Sequence, residues 1–248
     1  MKTALVLSAG GGFGAYQAGA WRVLSRHLRP DVVIGASIGS LNAWAIAGGM
    51  PADELCQFWL DLDIAAELRL RWTRPLRGFV DGAVLERVAR ELFERYPARL
   101  EYGAVLTELG SLRPRLYRGT EITWRHLYGS CAIPLIFEQL RFDGRLHTDG
   151  GLMGALPLWA AGEMGAEQTV AIDVWKLGLA RFRKSHRPAE GTVILTPSRR
   201  LGSARQSLFW TRSLVEEWIA LGEQDAQDLV ASPEYAGNIS VRECFERQ

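Results

Sequence analysis

The sequence lacks the features that mark disulfide-stabilised, nucleic-acid-binding or membrane-spanning chains. Its three cysteines, Cys56, Cys131 and Cys244, are spaced too widely for a metal site or a disulfide framework. The formal net charge is +1, which does not favour a polyanionic partner such as nucleic acid. No uninterrupted apolar stretch is long enough to cross a bilayer, and the apolar run after Met1 is too short for a signal peptide. We therefore expect a cytoplasmic protein that meets membranes only peripherally.

What the sequence does contain is the composition of a globular chain with a sizeable core. Apolar residues make up 48% of it and charged residues 23%. The length of 248 residues suits one large domain or two small ones. Nine tryptophans fill the core or, in part, lie where an apolar surface meets lipid, because the indole ring is mostly apolar with one polar N–H.

Two strand–turn–helix units form the N-terminal part of the chain. A short apolar strand, Leu5–Leu7, leads through glycines into a helix predicted over Ala15–Leu28. A second apolar strand, Val32–Ile34, turns at Gly35–Gly39 into a helix over Leu41–Ala47. Alternating apolar strands and helices predict an α/β fold whose largely parallel sheet is covered on both faces.

The rest of the chain continues this mixture of helices and strands. Residues 51–98 are mostly helical in pattern, and we interpret them as packing helices or as a helical lid or lipid-facing insertion. Residues 205–248 are predicted to form C-terminal helices. Further strands are predicted at Ala104–Leu109, Arg115–Tyr117, Thr169–Val174 and Thr192–Leu195, with a hairpin over Leu140–Thr148.

The first candidate site is the glycine-rich segment 9–14, between the first strand and its helix. Glycines there allow consecutive backbone N–H groups to point into one cavity, next to the positive end of the helix. Such a nest binds a phosphate or a transition-state oxyanion. The segment also satisfies the dinucleotide-binding pattern Gly10-x-Gly12-x-x-Ala15, so an oxidoreductase stays open as an alternative.

The second candidate site is Gly35-x-Ser37-x-Gly39, at a predicted strand-to-helix turn. Flanking glycines allow a sharp bend and leave room for the hydroxyl, while the helix N-terminus favours negative charge nearby. A plain tight turn would use the same residues, but the flanking strand and helix favour Ser37 as a nucleophile. The turn also occupies the strand end where a dinucleotide site needs an acidic residue; Asp31 lies at the strand's start.

A serine nucleophile needs a base, and the four histidines are poorly placed to supply one. Asp149, which precedes Gly150 and Gly151, is the candidate partner, although Asp-Gly also forms ordinary turns. The α/β-hydrolase order requires a histidine after the acid. Only His186 lies well beyond Asp149, among cations that disfavour its action as a base, and His147 precedes the acid. A Ser–Asp dyad therefore fits better than a triad.

Together these segments resemble the patatin-like phospholipase family. Leu7–Gly19, Gly35–Gly39 and Asp149–Gly151 match the family's motifs in order and spacing. Ser130–Phe137 is similar to the family's small-residue, proline and phenylalanine stretch ahead of its Asp-Gly-Gly. The likeness runs from about residue 5 to residue 175. It implies a single domain over residues 1–248, with a three-layer α/β/α fold and a mainly parallel central sheet.

The resemblance also implies a serine hydrolase that cleaves carboxylic ester bonds of phospholipids, lysophospholipids or acylglycerols, without metal or cofactor. Ser37 would attack the ester, Asp149 would accept its proton, and the amides of Gly10, Gly11 and Gly12 would stabilise the oxyanion. The glycines that support these motifs are Gly14, Gly35, Gly39, Gly150 and Gly151. The expected partner is a lipid ester, and nucleic acid is not expected to bind. The alternatives are an acyltransferase with the same dyad, a dinucleotide-binding oxidoreductase and a non-catalytic lipid-binding module.

Two residues of the glycine-rich segment depart from the family pattern. Ala9 stands where the family has its first glycine, and the nest survives if Ala9 avoids a positive φ. Phe13 stands where the family usually carries Arg or Lys. Loss of that cation would weaken the electrostatics at the oxyanion or headgroup and shift preference toward less charged esters. Phe13 would then enlarge an apolar acyl-binding wall.

Overall fold

A computed structural model of the chain describes residues 1–62, 81–175 and 190–239. Within these ranges the strands are β1 (Thr3–Leu7), β2 (Val32–Ala36), β3 (Glu101–Glu108), β4 (Arg113–Arg118), β5 (Leu140–Phe142), β6 (Arg145–Thr148), β7 (Gln168–Ile172) and β8 (Thr192–Leu195). The helices are α1 (Gly14–Leu24), α2 (Ile38–Ala47), α3 (Ala52–Asp61), α4 (Ala83–Arg95), α5 (Trp124–Ser130), α6 (Leu158–Glu163), α7 (Ala204–Leu208), α8 (Arg212–Val230) and α9 (Pro233–Asn238). Short 3-10 turns cover Gly11–Phe13 and Gly150–Met153.

The strands form one mixed sheet with a parallel centre. Their order is β5-β6-β3-β2-β1-β7-β8, and β4 pairs with β3 outside this path. The run β3-β2-β1-β7-β8 is parallel throughout. The pairs β3–β4, β3–β6 and β5–β6 are antiparallel. The mainly parallel sheet expected from the first two strand–helix units is therefore confirmed, with an antiparallel side added by β4, β5 and β6.

Helices cover both faces of the sheet. Leu5 and Leu7 of β1 lie in a core that includes residues of α1, α2, α3 and α8. Ala4 and Val6, which point to the other face, lie in a second core with α6. Successive strand residues alternate between faces, so β1 is apolar from Ala4 to Leu7 because both faces are buried. These two cores give the three-layer α/β/α arrangement predicted from the sequence.

Strands β2 and β6 approach each other end to end along one edge of β3. The last residue of β2, Ala36, pairs with Val105, and the last residue of β6, Thr148, pairs with Thr107. Because β4 pairs with β3 over the same stretch, β2 and β6 share the remaining edge. The carboxyl ends of the two strands therefore face each other, and the residue that follows each strand lies at the same place.

The helices predicted outside the sheet agree with the structure where it describes them. The helix predicted over Ala15–Leu28 begins at Gly14 and ends at Leu24, because the chain turns from Ser25 onward. The segment 51–98 contains α3 and α4, but residues 63–80 lie outside the described ranges, so the lid stays a prediction. Among the described helices, none combines the length and the apolar character needed to span a membrane.

Candidate active site

Ser37 lies on a strained turn between β2 and α2. Its φ of 54° and ψ of −131° are values that non-glycine residues rarely adopt. A Cβ on Gly35 would come within 2.1 Å of the Gly39 carbonyl oxygen, and a Cβ on Gly39 within 2.5 Å of the Ser8 carbonyl oxygen. Both flanking glycines are therefore required, since the turn folds tightly on itself and against the residue after β1.

The structure brings Ser37 and Asp149 together although 112 positions separate them. Ser37 Oγ donates a hydrogen bond of 2.5 Å to Asp149 Oδ2. Each of the two residues is only 6% exposed, so the pair is shielded from bulk water. The contact follows from the sheet, because Ser37 follows β2 and Asp149 follows β6. Their catalytic roles stay predictions.

Backbone groups hold Asp149 in place. Its N–H donates to the Ala132 carbonyl at 3.0 Å, and its Oδ1 accepts from the Gly151 N–H at 2.7 Å. A Cβ on Gly150 would come within 2.0 Å of the Val105 carbonyl oxygen, so only glycine fits between Asp149 and β3. The Asp-Gly-Gly sequence therefore fixes one carboxylate oxygen with a backbone amide and leaves the other for Ser37.

Burial raises the pKa of Asp149 to about 6, and the hydrogen bonds from Ser37 and Gly151 limit the rise by favouring the ionised form. At neutral pH the carboxyl is therefore ionised, yet it is a stronger base than an exposed aspartate. A general base works best when its pKa lies near the operating pH. The environment of Asp149 suits the acceptance of a proton from a hydroxyl.

Ser130 braces the nucleophile turn, a role the sequence did not reveal. The Ser37 N–H donates to Ser130 Oγ at 2.8 Å, and Ser130 Oγ donates to the Val105 carbonyl at 2.7 Å. Ser130 is fully buried. Its hydroxyl thereby ties the strained residue to β3. The only sequence signal was its position at the start of the small-residue stretch Ser130–Phe137.

The loop Gly10–Gly12 presents free backbone donors. Within the described residues, none of its three N–H groups donates a hydrogen bond. The next amides along the chain are occupied: Phe13 N–H donates to Gly10, and Gly14 N–H donates to Gly11 and Gly12. Three adjacent free amides next to a helix N-terminus are suited to binding a developing oxyanion.

Ala9 is compatible with this loop. It is not among the described residues with a positive φ, and its N–H donates to the Ala155 carbonyl at 2.8 Å. Its amide is therefore already used and does not belong to the free donors of Gly10–Gly12. A Cβ on Gly151 would lie 2.4 Å from the Ala9 Cβ. Position 151 must therefore be glycine for Ala9 to fit.

A buried hydrogen-bond network anchors the loop to α2 and α3. Gln17 Nε2 donates to the Ser8 carbonyl at 2.7 Å. Asn42 Nδ2 donates to Gln17 Oε1 at 2.9 Å and to the Gly14 carbonyl at 3.0 Å. Trp59 Nε1 donates to Asn42 Oδ1 at 3.0 Å. Because these groups bond one another, both ends of the glycine loop are fixed before any ligand binds.

Phe13 packs inside an aromatic cluster. The residue is 1% exposed, and its ring meets those of Trp218 and Trp175 edge to face at centroid distances of 5.0 and 5.3 Å. An Arg or Lys at this position would face two indole rings in the core. The ring thus has a packing role, while its contribution to an acyl-binding wall stays a prediction.

The described histidines form contacts away from the Ser37–Asp149 pair. His147 Nε2 lies 2.9 Å from the Tyr117 hydroxyl, and burial lowers the pKa of His147. Burial also lowers the pKa of His126 to about 4. No histidine of the described residues bonds Ser37, and His186 lies outside these residues. Nor does the described part of the chain hold a group of three or more side chains able to bind a metal ion.

Solved structures with a similar fold exist. VipD from Legionella pneumophila superposes with a TM-score of 0.59 at 12% identity, covering 92% of this chain and 66% of VipD. The type III effector protein ExoU gives a TM-score of 0.50 at 17% identity, covering 93% of this chain and 54% of that chain. At these identities the likeness concerns the fold alone.

Similar sequences extend the likeness to relatives much longer than this chain. Patatin-like phospholipase domain-containing protein 7 of Rattus norvegicus is 28% identical over 186 residues, which cover 69% of this chain and 13% of the relative. Lysophospholipase NTE1 of Mycosarcoma maydis is 27% identical over 187 residues, which cover 70% of this chain and 10% of the relative. The chain thus spans 13% or less of the length of these relatives. The family model described as patatin-like phospholipase matches residues 5–161. Since that match covers more than half of the chain, the chain belongs to the patatin-like phospholipase family.

Proposed function

We propose that the chain is a serine hydrolase that cleaves carboxylic ester bonds of lipids, with Ser37 as nucleophile and Asp149 as general base. The observation that carries the proposal is the buried hydrogen bond of 2.5 Å from Ser37 Oγ to Asp149 Oδ2. The family, whose relatives include proteins named phospholipases and lysophospholipases, supports a lipid ester as the substrate.

The geometry supports a two-step reaction. Ser37 Oγ attacks the ester carbonyl carbon while its proton passes to Asp149 Oδ2. The oxyanion that forms accepts hydrogen bonds from the free amides of Gly10–Gly12. When the intermediate collapses, the carbon–oxygen bond to the alcohol breaks and Asp149 returns the proton to the leaving oxygen. Water then attacks the acyl-enzyme with Asp149 again as base, which releases the carboxylic acid and restores Ser37.

Labelling with a fluorophosphonate probe tests the nucleophile. We expect the probe to attach covalently to the peptide that contains Ser37, as identified by mass spectrometry. The same preparation should hydrolyse esters from a panel of short p-nitrophenyl esters, lysophospholipids, phospholipids and acylglycerols. Analysis of the products with and without an added alcohol separates hydrolysis from acyl transfer.

The matched control removes a different buried hydroxyl. Ser37→Ala should lose both label and hydrolysis, whereas Ser40→Ala, one turn further along α2, should retain both. Ester hydrolysis that persists at the wild-type rate in Ser37→Ala, or label on another residue of the wild type, would refute the proposed nucleophile.

The raised pKa of Asp149 predicts a particular pH profile. The base must be ionised to accept the proton, so kcat/KM on a non-ionising ester should be constant above the pKa of about 6. Below that pH it should fall about tenfold per pH unit, because the protonated fraction of Asp149 grows in that proportion. The measurement is kcat/KM against pH by a stopped assay that does not depend on chromophore ionisation.

The control for this profile is the folded state at each pH, measured by circular dichroism. Burial disfavours protonation of His126 and His147, so these two histidines destabilise the fold as the pH falls from 6.5 toward 4, while protonation of Asp149 acts in the opposite direction. Only pH values at which the chain stays folded enter the profile. Activity that stays level well below pH 6, or an inflection above neutral pH, would contradict Asp149 as the base.

A further inference from the structure

Three large apolar side chains are exposed on segments that contact the site. Leu135 is 73% exposed, Phe209 54% and Leu152 47%. Each lies within three positions of a residue that shapes the site. Leu152 donates its N–H to the carbonyl of Asp149 itself. Leu135 follows Ala132, whose carbonyl accepts the Asp149 N–H. We refer to Leu135, Leu152 and Phe209 as the apolar rim.

Leu135 is held in its exposed position by the loop that carries it. Its φ of 67° is in the left-handed region, which a leucine rarely occupies. Gln139 Nε2 donates to the carbonyls of Ala132 at 3.1 Å and Phe137 at 2.8 Å, which closes the loop around Leu135. Strain that persists in a pinned loop and exposes an apolar side chain indicates a functional constraint.

Phe209 belongs to a segment that lies directly on the oxyanion loop. A Cβ on Gly11 would come within 2.3 Å of the Ser207 carbonyl oxygen, and one on Gly12 within 2.6 Å of the Trp210 ring. Phe209 lies between these two contact residues and is itself exposed. The rim therefore has one member on the segment that packs on Gly11 and Gly12, and two on segments that hydrogen-bond with the backbone of Asp149.

The surroundings of Phe209 carry positive charge. Residues 192–213 include Arg199, Arg200, Arg205 and Arg212 and no acidic residue. Arg199 pairs with Glu217 and Arg212 with Glu216. Arg200 and Arg205 have no acidic partner within the described residues. An exposed phenylalanine in a segment with two arginines that have no acidic partner among the described residues matches a surface that is apolar inside and anionic at its headgroups.

We propose that the apolar rim inserts into the surface of an anionic lipid assembly, with Arg200 and Arg205 on its headgroups. The enzyme then takes ester substrate directly from that surface. This inference rests on the proposed function, since it names the physical state in which the substrate reaches Ser37. It also gives the exposed side chains a partner: Leu135, Leu152 and Phe209 leave water when the site docks.

Vesicle sedimentation in the Ser37→Ala background tests the rim independently of catalysis. We expect binding to vesicles of mixed phosphatidylcholine and phosphatidylglycerol, and about tenfold weaker binding to phosphatidylcholine alone. Leu135→Ser and Phe209→Ser should each weaken binding about tenfold, because each removes a buried apolar side chain from the docked state. Arg200→Gln with Arg205→Gln should weaken binding roughly tenfold and remove most of its salt dependence.

The control variant is Leu100→Ser, which should bind vesicles as the parent does, because Leu100 immediately precedes β3 and so lies at the opposite end of the sheet. With Ser37 intact, Leu135→Ser should lower the ratio of hydrolysis of vesicle-borne ester to that of dissolved ester.

Vesicle binding that is absent, or unchanged in the rim variants, overturns the proposal. So does a rim variant that changes the oligomeric state instead, since the rim then covers a second copy. Rim-dependent binding without ester hydrolysis would keep the rim and refute only the proposed function.

Discussion

Asp149→Asn is expected to lower kcat/KM on ester substrates by about 10³-fold or more while the fold persists. Asparagine has nearly the shape of the aspartate, so its oxygen still accepts from the Gly151 N–H and its NH₂ still reaches Ser37 Oγ. It does not accept a proton, however, and the Cys131 thiol, which also hydrogen-bonds with Ser37, does not replace it as a base, because burial raises the pKa of Cys131 and keeps the thiol protonated. The serine would keep its position and lose its activation.

The same variant should lower kcat/KM and raise the stability of the fold, so it separates a catalytic role of Asp149 from a structural one. The fold raises the pKa of Asp149 from 3.8 to about 6, so it favours the protonated form. Ionised Asp149 therefore destabilises the wild type above about pH 6, on the order of 2–3 kcal/mol, and this cost disappears as the pH falls toward 3.8. A neutral asparagine at this position does not cause that destabilisation. At about pH 8 the variant should melt at a higher temperature than the wild type, by differential scanning fluorimetry.

Asp143→Asn is the matched control for this experiment. Asp143 is exposed in the turn between β5 and β6, and its φ of 49° is one that asparagine tolerates. Its activity and melting temperature should stay close to those of the wild type. An Asp149→Asn enzyme that retains more than about a tenth of the wild-type kcat/KM would show that another group activates Ser37.

The site was predictable from the sequence where a single position dictates the backbone. Gly35, Gly39 and Gly150 each leave no room for a Cβ, and Ser37 occupies the sharp turn that its neighbours allow. Such constraints are local, so they appear as short motifs at fixed spacing. The meeting of Ser37 with Asp149 required only one further step, namely that β2 and β6 end at the same edge of β3.

The parts that the sequence did not reveal depend on contacts between distant segments. Ser130 braces Ser37 across 93 positions, and nothing in its own neighbourhood distinguishes a bracing hydroxyl from any small buried residue. The family pattern identifies Phe13 as a departure but indicates nothing about its neighbours. Its ring packs on Trp218, a residue of α8 that no local pattern connects to the glycine loop. The close approach of the Ser207 carbonyl to Gly11 is likewise a contact between distant segments.

Because the Ser207 carbonyl lies so close to Gly11, Gly11→Ala is the most informative change in the loop. Gly11 has a φ of 55°, which strains an alanine, and the added Cβ would lie 2.3 Å from the Ser207 carbonyl oxygen. Both effects turn the loop away from its present conformation, and with it the free amides of Gly10–Gly12. Removing one oxyanion donor typically costs about 10²–10³-fold in kcat, so a loss of that size is expected, together with slower labelling by a fluorophosphonate.

Gly162→Ala is the matched control, because this exposed glycine lies in α6 and an added Cβ meets no atom within 4 Å. It should keep full activity and gain about 0.5–1 kcal/mol in free energy of unfolding, as alanine favours the helix. A Gly11→Ala enzyme with wild-type kcat and an unchanged melting temperature would contradict the oxyanion role of the loop. A lower kcat with the melting temperature nearly retained would place the loss in the transition state. The amides of Gly10–Gly12 would then contribute, together with Ser37 and Asp149, to the rate at which the acyl-enzyme forms.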